Sequence, residues 1–195
     1  ELRTPMNGVL GAAQLLKDKQ MSEDERHELV DIIYSSSQSL VSIINDILDL
    51  SMLDVEKLNI NPQPMDLHKV VRDVFNMFKP NAESKGLGYQ LIYDNSIPTS
   101  IIADAARISQ VMFNLLGNAI KFTSKGQVIT NVKYIQVDEQ SLRLEISITD
   151  SGIGIPFSKQ QEIFKSFTQL DMTVSKEYGG TGLGLCISKK LCELM

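Results

Sequence analysis

The sequence of 195 residues has few of the features that mark several classes of protein. Its two cysteines, Cys186 and Cys192, are six residues apart and do not share a helix face, so neither a disulfide framework nor a zinc site is expected. No apolar run approaches the roughly 18 residues that a membrane-spanning helix needs. No long basic run is present, and the net charge of −5 argues against a nucleic-acid-binding surface. We therefore expect a reducing compartment, no nucleic-acid partner and no membrane contact within this stretch.

The residues that are present have the composition of a globular protein, with 43% hydrophobic and 22% charged residues. The length suits one ordinary domain plus a smaller element. No signal peptide is recognisable, and the sequence opens abruptly inside a patterned segment. We therefore expect the chain to be a fragment whose upstream part is missing.

The N-terminal part predicts a helical hairpin. Apolar positions recur at helical spacing over residues 1–20, in a stripe that we expect Pro5 to interrupt. Ser22 and Glu25 have the spacing of a capping box, and a second apolar series with steps of seven residues runs from there to about Leu58. Two helices alone cannot bury so wide an apolar face. We therefore predict that the hairpin pairs with a second copy to form a four-helix bundle.

Beyond the hairpin, helical and strand patterns alternate. Asp66 is placed to cap a helix that continues to about residue 84. Short strands are expected at Tyr89–Tyr93 and Ser100–Ile102, and two antiparallel strands at Gln127–Val137 and Ser141–Thr149. The predicted fold is an α+β sandwich, with helices over one face of a mixed sheet.

The stretch from Asp104 to Thr123 combines an apolar helical face with a row of polar side chains. Asn114, Asn118 and Lys121 follow one another at i, i+4 and i+7, so they line one edge of the predicted helix. Two amides and an ammonium can coordinate a hard cation and contact a polyphosphate. A solvated edge that merely carries Asn and Lys explains the same pattern, so both interpretations stay open on this stretch alone.

Two glycine-rich segments follow. Asp150, Gly152 and Gly154 come where the last predicted strand ends, and such glycines let the backbone approach a flat ligand, although many Gly-x-Gly turns are merely tight. The second segment, residues 179–185, has four glycines in six residues and precedes a helix whose N-terminus can present N–H groups to an anion. We predict a phosphate-binding loop there. It is not a Walker loop, because no Gly-Lys-Ser/Thr follows.

Four segments in this order resemble the N, G1, F and G2 boxes of sensor histidine kinases. They are NLLGNAIKFT at 114–123, DSGIG at 150–154, IFKSF at 163–167 and GTGLGL at 180–185. The first residues, ELRTPMNG at 1–8, are similar to the tail of that family's H-box, His-Glu-x-x-Thr-Pro, in the form typical of hybrid kinases. The resemblance implies helical phosphotransfer elements joined to an ATP-binding α/β sandwich of the type shared with topoisomerase, mismatch-repair and chaperone ATPases.

On this resemblance we divide the chain into a dimerisation and histidine-phosphotransfer hairpin at 1–60, a linker at 61–65 and an ATP-binding domain at 66–195. Relatives continue beyond Met195 into further strands, so the last domain is expected to be incomplete. The resemblance also implies a homodimer through the hairpin and a receiver-domain partner. The expected location is cytoplasmic, as a separate protein or as part of a membrane-anchored sensor.

The family pattern assigns roles by position. Asp150 becomes the acceptor for the adenine amino group of ATP, with Gly152 and Gly154 beside it. Asn118 becomes the Mg²⁺ ligand, with Asn114 beside it. The residues that would contact the phosphates, directly or from a mobile lid at about 168–178, are Lys121, Lys176, Gly180, Thr181, Gly182, Leu183, Gly184 and Leu185.

The phosphoacceptor histidine of the family should stand immediately before Glu1, and the sequence does not contain it. Glu1 would be the base beside that histidine, and Thr4 would orient water when the enzyme acts as a phosphatase. His27 and His68 are not expected to replace it, since the first is among acidic residues and the second is at a helix start.

Two functions are consistent with these residues. The first is an ATP-dependent, autophosphorylating protein-histidine kinase that passes its phosphoryl group to a receiver-domain aspartate. The second is a degenerate kinase module that acts by nucleotide-dependent partner binding. Intact Asn118, Asp150 and G2-box glycines favour the first. Related ATPases have a glutamate where this chain has Asn114, so hydrolysis within the domain is not the expected reaction.

Overall fold

The computed structural model describes residues 2–17, 21–53, 59–138, 141–166, 168 and 182–195. A helical hairpin is followed by an α/β sandwich, as predicted. The helices are α1 (Arg3–Leu15), α2 (Glu23–Leu53), α3 (Leu67–Ser84), α4 (Ala105–Phe122) and α5 (Gly184–Leu194). The strands are β1 (Gln63–Asp66), β2 (Gly88–Tyr93), β3 (Ser100–Ala103), β4 (Gln127–Gln136) and β5 (Leu142–Asp150).

In the hairpin, α1 packs against α2. The two helices approach closely at Gly8, where an added Cβ would lie 2.6 Å from the hydroxyl oxygen of Ser36. Three positions of the predicted seven-residue pattern, Leu29, Ile33 and Leu40, are half-buried. Much of the remaining apolar surface of both helices stays exposed.

Pro5 does not interrupt α1, and that prediction was wrong. Pro5 is the third residue of a helix that continues to Leu15. The first four N–H groups of a helix have no partner within it, so a proline there removes no hydrogen bond.

The predicted capping box at the start of α2 is confirmed. The Glu25 N–H donates to Ser22 Oγ at 3.3 Å, and the Ser22 N–H donates to a Glu25 carboxylate oxygen at 2.8 Å. These hydrogen bonds hold the pKa of Glu25 below its usual value. From this cap α2 continues for 31 residues, or about 47 Å.

The strands form two sheets. β2 is parallel to β4, and β4 is antiparallel to β5, so the predicted mixed sheet is confirmed. β1 and β3 form a separate antiparallel pair. Residues 61–65 were predicted to be a linker, but Gln63–Asp66 is strand β1 and belongs to the sandwich. A proline is tolerated in β1 because in a two-stranded pair each strand has a free edge, where a missing N–H costs no ladder hydrogen bond.

Helices α3 and α4 pack on the mixed sheet and form the core with it. The Asp66 side chain caps α3 by accepting the Lys69 N–H at 3.0 Å, as its position predicted. The largest fully buried apolar side chains of this core are those of Leu67, Val71, Met112, Leu116, Val128 and Val132. Because α4 contributes its apolar face to this core, its polar edge is fixed in orientation.

Asp104 joins the segment after α2 to the start of α4. Its Oδ1 accepts the N–H groups of Ala106 and Arg107, each at 3.1 Å, and its Oδ2 accepts the Asn61 N–H at 2.9 Å. Burial raises the pKa of this carboxyl, but the three N–H groups and the Arg107 charge together hold it below its usual value. Next to this anchor, Ile60 packs against the apolar face of α5.

Among the helices that the structure describes, none combines the length and the apolar character that a bilayer crossing requires.

Candidate functional site

The polar edge of α4 carries two amides that interact with each other. Asn118 Nδ2 donates to Asn114 Oδ1 at 3.3 Å, as expected for residues one helical turn apart. Asn114 Nδ2 donates in turn to the hydroxyl oxygen of Ser188, on α5, at 2.8 Å. Both amides are half-buried, so the edge is partly shielded from water.

The start of α5 packs against this edge. Gly184 is the first residue of α5, and an added Cβ there would lie 2.2 Å from Asn114 Oδ1. Gly182, two residues earlier, has a φ of 62°, a conformation that glycine adopts without strain. Leu183 is buried, and Leu185 is half-buried in the first turn. The described end of the second glycine segment is therefore held beside the amide pair.

The turn after β5 approaches the other end of α4. Asp150 is the last residue of β5, and its Oδ1 accepts the Gly152 N–H at 2.8 Å. An added Cβ on Gly152 would lie 2.4 Å from the carbonyl oxygen of Phe122, so only glycine fits there without a backbone shift. Gly154 has a φ of 68°, in the left-handed region that glycine adopts without strain.

These contacts bring two predicted segments to α4. The start of α5 meets it at Asn114, the Gly152 turn meets it at Phe122, and Asn118 lies between them. Eight residues of helix separate the two contacts, which is about 12 Å. A strand-end carboxylate therefore lies near the C-terminal end of α4, and a helix N-terminus lies beside its two amides. Such groups can contact a base, a cation and an anion.

Lys121 is placed one turn beyond the amides, against an aromatic ring. Its ammonium nitrogen lies 4.8 Å from the centroid of the Phe122 ring. With Phe78 and Gly117 it also lines a cavity of about 290 Å³ between α3 and α4. At the same end of α4, Lys85 Nζ donates to the Ile120 carbonyl oxygen at 2.7 Å. The approach of Lys121 to a phosphate stays a prediction.

Several predicted site residues lie outside the described part of the chain. They are Glu1, Lys176, Gly180 and Thr181, together with most of the predicted lid. Thr4 is described and lies exposed in the first turn of α1.

Ser188 was missed by the sequence reasoning. It is 6% exposed and contacts an amide of the predicted site. It follows Gly184 by four residues, so the two share a face of α5. That spacing, counted from a glycine already assigned to the site, was the available signal.

Two family models match the chain. Residues 103–195 match the family described as histidine kinase-, DNA gyrase B- and HSP90-like ATPase. Residues 1–56 match the His Kinase A (phospho-acceptor) domain.

Named relatives match the whole chain. The autoinducer 2 sensor kinase/phosphatase LuxQ of Vibrio parahaemolyticus is 39% identical over 200 residues, which cover 100% of this chain and 23% of that protein. The hybrid signal transduction histidine kinase L of Dictyostelium discoideum is 38% identical over 194 residues, which cover 100% of this chain and 11% of that protein. The chain therefore spans less than a quarter of the length of these curated relatives.

Among solved structures, full-length ShkA in complex with AMPPNP superposes with a TM-score of 0.72 at 32% identity. The match covers 97% of this chain and 38% of that one. The helical and sandwich parts of this chain are thus similar in arrangement to those of ShkA over nearly the whole described chain.

Proposed function

Because this chain belongs to the sensor histidine kinases and is a catalytic core of that family, we propose that it is an ATP-dependent protein-histidine kinase. The phosphoryl group goes to the histidine that the family pattern puts immediately before Glu1, and from there to an aspartate of a receiver domain. The observation that carries the proposal is that α4, which bears the Asn114–Asn118 pair, contacts both the Asp150 turn and the start of α5.

Asp150 accepts the amino group of adenine in this proposal. The hydrogen bond from the Gly152 N–H to Oδ1 supports this role, because it holds the carboxylate at the strand end. Gly152 and Gly154 keep the turn free of side chains, so a flat ring can approach the backbone. The ShkA relative was solved with AMPPNP, an ATP analogue, which supports adenine nucleotide as the ligand.

The amide pair suits Mg²⁺, because amide oxygens are ligands for hard cations. Asn118 is the proposed ligand, with Asn114 beside it. The bound cation would supply positive charge against the phosphates. The backbone and side chains proposed to hold the phosphates are Lys121, Lys176, Gly180, Thr181, Gly182, Leu183, Gly184 and Leu185.

The residue types favour transfer to histidine over transfer to water. The amide of Asn114 cannot take a proton from water, whereas the related ATPases carry a glutamate at this position. Glu1 is the proposed base beside the phosphoacceptor histidine, which the family pattern puts immediately before it. Thr4 would orient water in a phosphatase reaction. The name of LuxQ, a sensor kinase/phosphatase, supports that second activity.

The proposed division is a dimerisation and phosphotransfer hairpin at 1–60 and an ATP-binding domain that starts at β1. The exposed apolar surface of the hairpin supports a homodimer. The hybrid kinase among the relatives supports a receiver domain as partner, in the same chain or in another. A cytoplasmic location follows from this function, since ATP and the receiver domain are found there.

The proposal is tested with a version of the protein that carries a histidine immediately before Glu1. After incubation with γ-labelled ATP and Mg²⁺, we expect a protein-bound label that is labile in acid and stable in base. Asn118→Asp and Gly182→Ala should reduce the label. The second variant acts because its Cβ is strained at a φ of 62°.

A matched control is Ser109→Ala, whose hydroxyl donates to the Ala105 carbonyl oxygen of its own helix; it should label normally. Absence of label with ATP binding intact would contradict the kinase proposal and favour a degenerate module that binds a partner. Loss of the dimer in Asn118→Asp would contradict the division into domains.

A further inference from the structure

A relay of hydrogen bonds joins the buried side of α5 to the amide edge of α4. The Ser188 hydroxyl oxygen accepts Asn114 Nδ2 at 2.8 Å, and Asn114 Oδ1 accepts Asn118 Nδ2 at 3.3 Å. Ser188 is 6% exposed, so water does not compete freely for its hydroxyl. We call this the Ser188–Asn114–Asn118 relay.

The middle amide of the relay sits in a space that a glycine leaves open. A Cβ on Gly184 would lie 2.2 Å from Oδ1 and 2.7 Å from Cγ of Asn114. Gly184 and Ser188 are one turn apart on α5, so the same ridge provides both the space and the hydrogen bond. The Asn114 amide is therefore confined by backbone on one side and oriented by a hydroxyl on the other.

The direction of the relay determines which atom of Asn118 is available. An amide group has an oxygen that accepts and an NH₂ that donates, and rotation by half a turn exchanges them. In the structure the NH₂ of Asn114 faces the Ser188 hydroxyl, and the Asn114 oxygen faces Asn118. Asn118 donates its NH₂ to that oxygen, so its own oxygen is the atom left for another partner. A hard cation binds oxygen and is repelled by NH₂.

We propose that Ser188 is a positioning residue for the cation site. It orients Asn114, and Asn114 in turn orients Asn118 with its oxygen available to Mg²⁺. This inference rests on the proposed function, because it assigns Ser188 to the site in which Asn118 binds the cation.

The test measures the affinity of the chain for AMPPNP by calorimetric titration, with Mg²⁺ and with EDTA. In Ser188→Ala, the gain in affinity that Mg²⁺ provides should fall by about two- to tenfold, the range expected for one hydrogen bond. The affinity in EDTA should stay unchanged, because the relay does not touch Asp150. Ser188→Thr, which keeps the hydroxyl, should restore the gain.

Ser188→Cys is a second variant of nearly the same size, and its thiol is a weak acceptor. It should lose the gain as Ser188→Ala does, which keeps the test valid if the alanine variant fails to fold. Ser109→Ala is the matched control, because it removes a serine hydroxyl from α4 outside the relay. It should behave as the unchanged chain does.

A double-mutant cycle separates positioning from general stabilisation. In an Asn114→Ala background, Ser188→Ala should cause no further loss of the Mg²⁺-dependent gain. An equal loss of affinity with Mg²⁺ and with EDTA, or a full additional loss in the Asn114→Ala background, would overturn the relay.

The relay and the proposed function fail in different ways. If Mg²⁺ tightens AMPPNP binding equally in the unchanged chain and in Ser188→Ala, only the relay is overturned. An unchanged chain that gains nothing from Mg²⁺ overturns the proposed cation site and the relay with it.

Discussion

The hairpin and the sandwich bury their apolar side chains in different ways. In the sandwich, Leu67, Leu116 and Val132 are completely buried. In the described part of the hairpin, Ala12 is the one buried hydrophobic residue, while Tyr34 is 65% exposed. The sandwich therefore encloses its own core, whereas each helix of the hairpin has apolar side chains that stay exposed among the described residues.

The exposed apolar residues of the hairpin are arranged in stripes. Met6 and Leu10 are one turn apart on α1, and Val30, Tyr34 and Val41 recur at spacings of four and seven on α2. Contiguous apolar stripes of this kind mark surfaces that bind another protein. The difference between the two regions agrees with the proposed homodimer, in which a second copy would cover the exposed apolar stripes of the hairpin.

The largest expected effect comes from one substitution made in both regions. Leu116→Ala should lower the free energy of unfolding by about 2–5 kcal/mol, because it opens a cavity in a closed core. Leu10→Ala, at a position 60% exposed, should change the stability of the monomer by less than about 0.5 kcal/mol. Urea unfolding followed by circular dichroism at low protein concentration measures both. Equal losses would mean that the hairpin has a closed core of its own.

A second prediction concerns association. Leu10→Glu should weaken the proposed dimer by about 1.5–3 kcal/mol for each copy, because it removes an apolar side chain from the pairing surface and adds a charge. Sedimentation equilibrium measures the change. Leu10→Met keeps an apolar surface and serves as the control. A Leu10→Glu chain that remains as dimeric as the control would show that this face of α1 lies outside the dimer interface.

A third prediction addresses the join between the regions. Asp104→Ala removes the acceptor for three backbone N–H groups and should cost about 1–2 kcal/mol of stability at pH 7. The hydrogen bonds hold the folded pKa of Asp104 below its unfolded value. Its ionised form therefore contributes stability in full above the unfolded value of about 3.9, and loses it as the pH falls through the lower folded value.

The gap in stability between the original chain and Asp104→Ala should accordingly shrink below about pH 4. Asp104→Asn still caps a helix but has no charge, so its own contribution should not vary with pH. Urea unfolding at pH 7 and pH 3 compares the three proteins. A gap of the same size at both values would exclude the ionised carboxylate as the source.

The smallest effect is expected at the cap of α2. Ser22→Ala removes the acceptor for the Glu25 N–H and should speed amide exchange in the first turn of α2. The sandwich should be unaffected, since the hydrogen bonds of the cap lie within the first turn of α2. Hydrogen exchange with mass spectrometry detects the change. Faster exchange in α4 as well would show that the two regions unfold together.

The elements of the fold could be predicted from the sequence where their causes are local. The Asp66 cap, the capping box at Ser22 and the amide pair at Asn114 and Asn118 each depend on residues within one or two turns. The two errors arose where local rules are incomplete. Pro5 was judged without knowing that it falls in a first turn, and β1 exists only because β3 pairs with it.

The candidate site could be predicted only in part for the same reason. Its residues were recognised from motifs, but no motif showed that Gly152 would contact Phe122, and the spacing from Gly184 could place Ser188 on the same helix face without naming Asn114 as its partner. The second of these contacts joins residues 74 positions apart. Such contacts depend on how α5 and the turn after β5 pack on α4. That packing cannot be read from the periodicity of any single segment.

The sequence by itself determined the helices, the strands, the polar edge of α4 and the glycines able to approach a ligand, because these follow from backbone geometry and side-chain spacing within each segment. The tertiary structure alone decided which segments meet α4 and which atom of the Asn118 amide bonds Asn114. The reason is that burying the apolar face of α4 fixes its rotation, and only then can distant backbones and hydroxyl groups pack against what remains exposed.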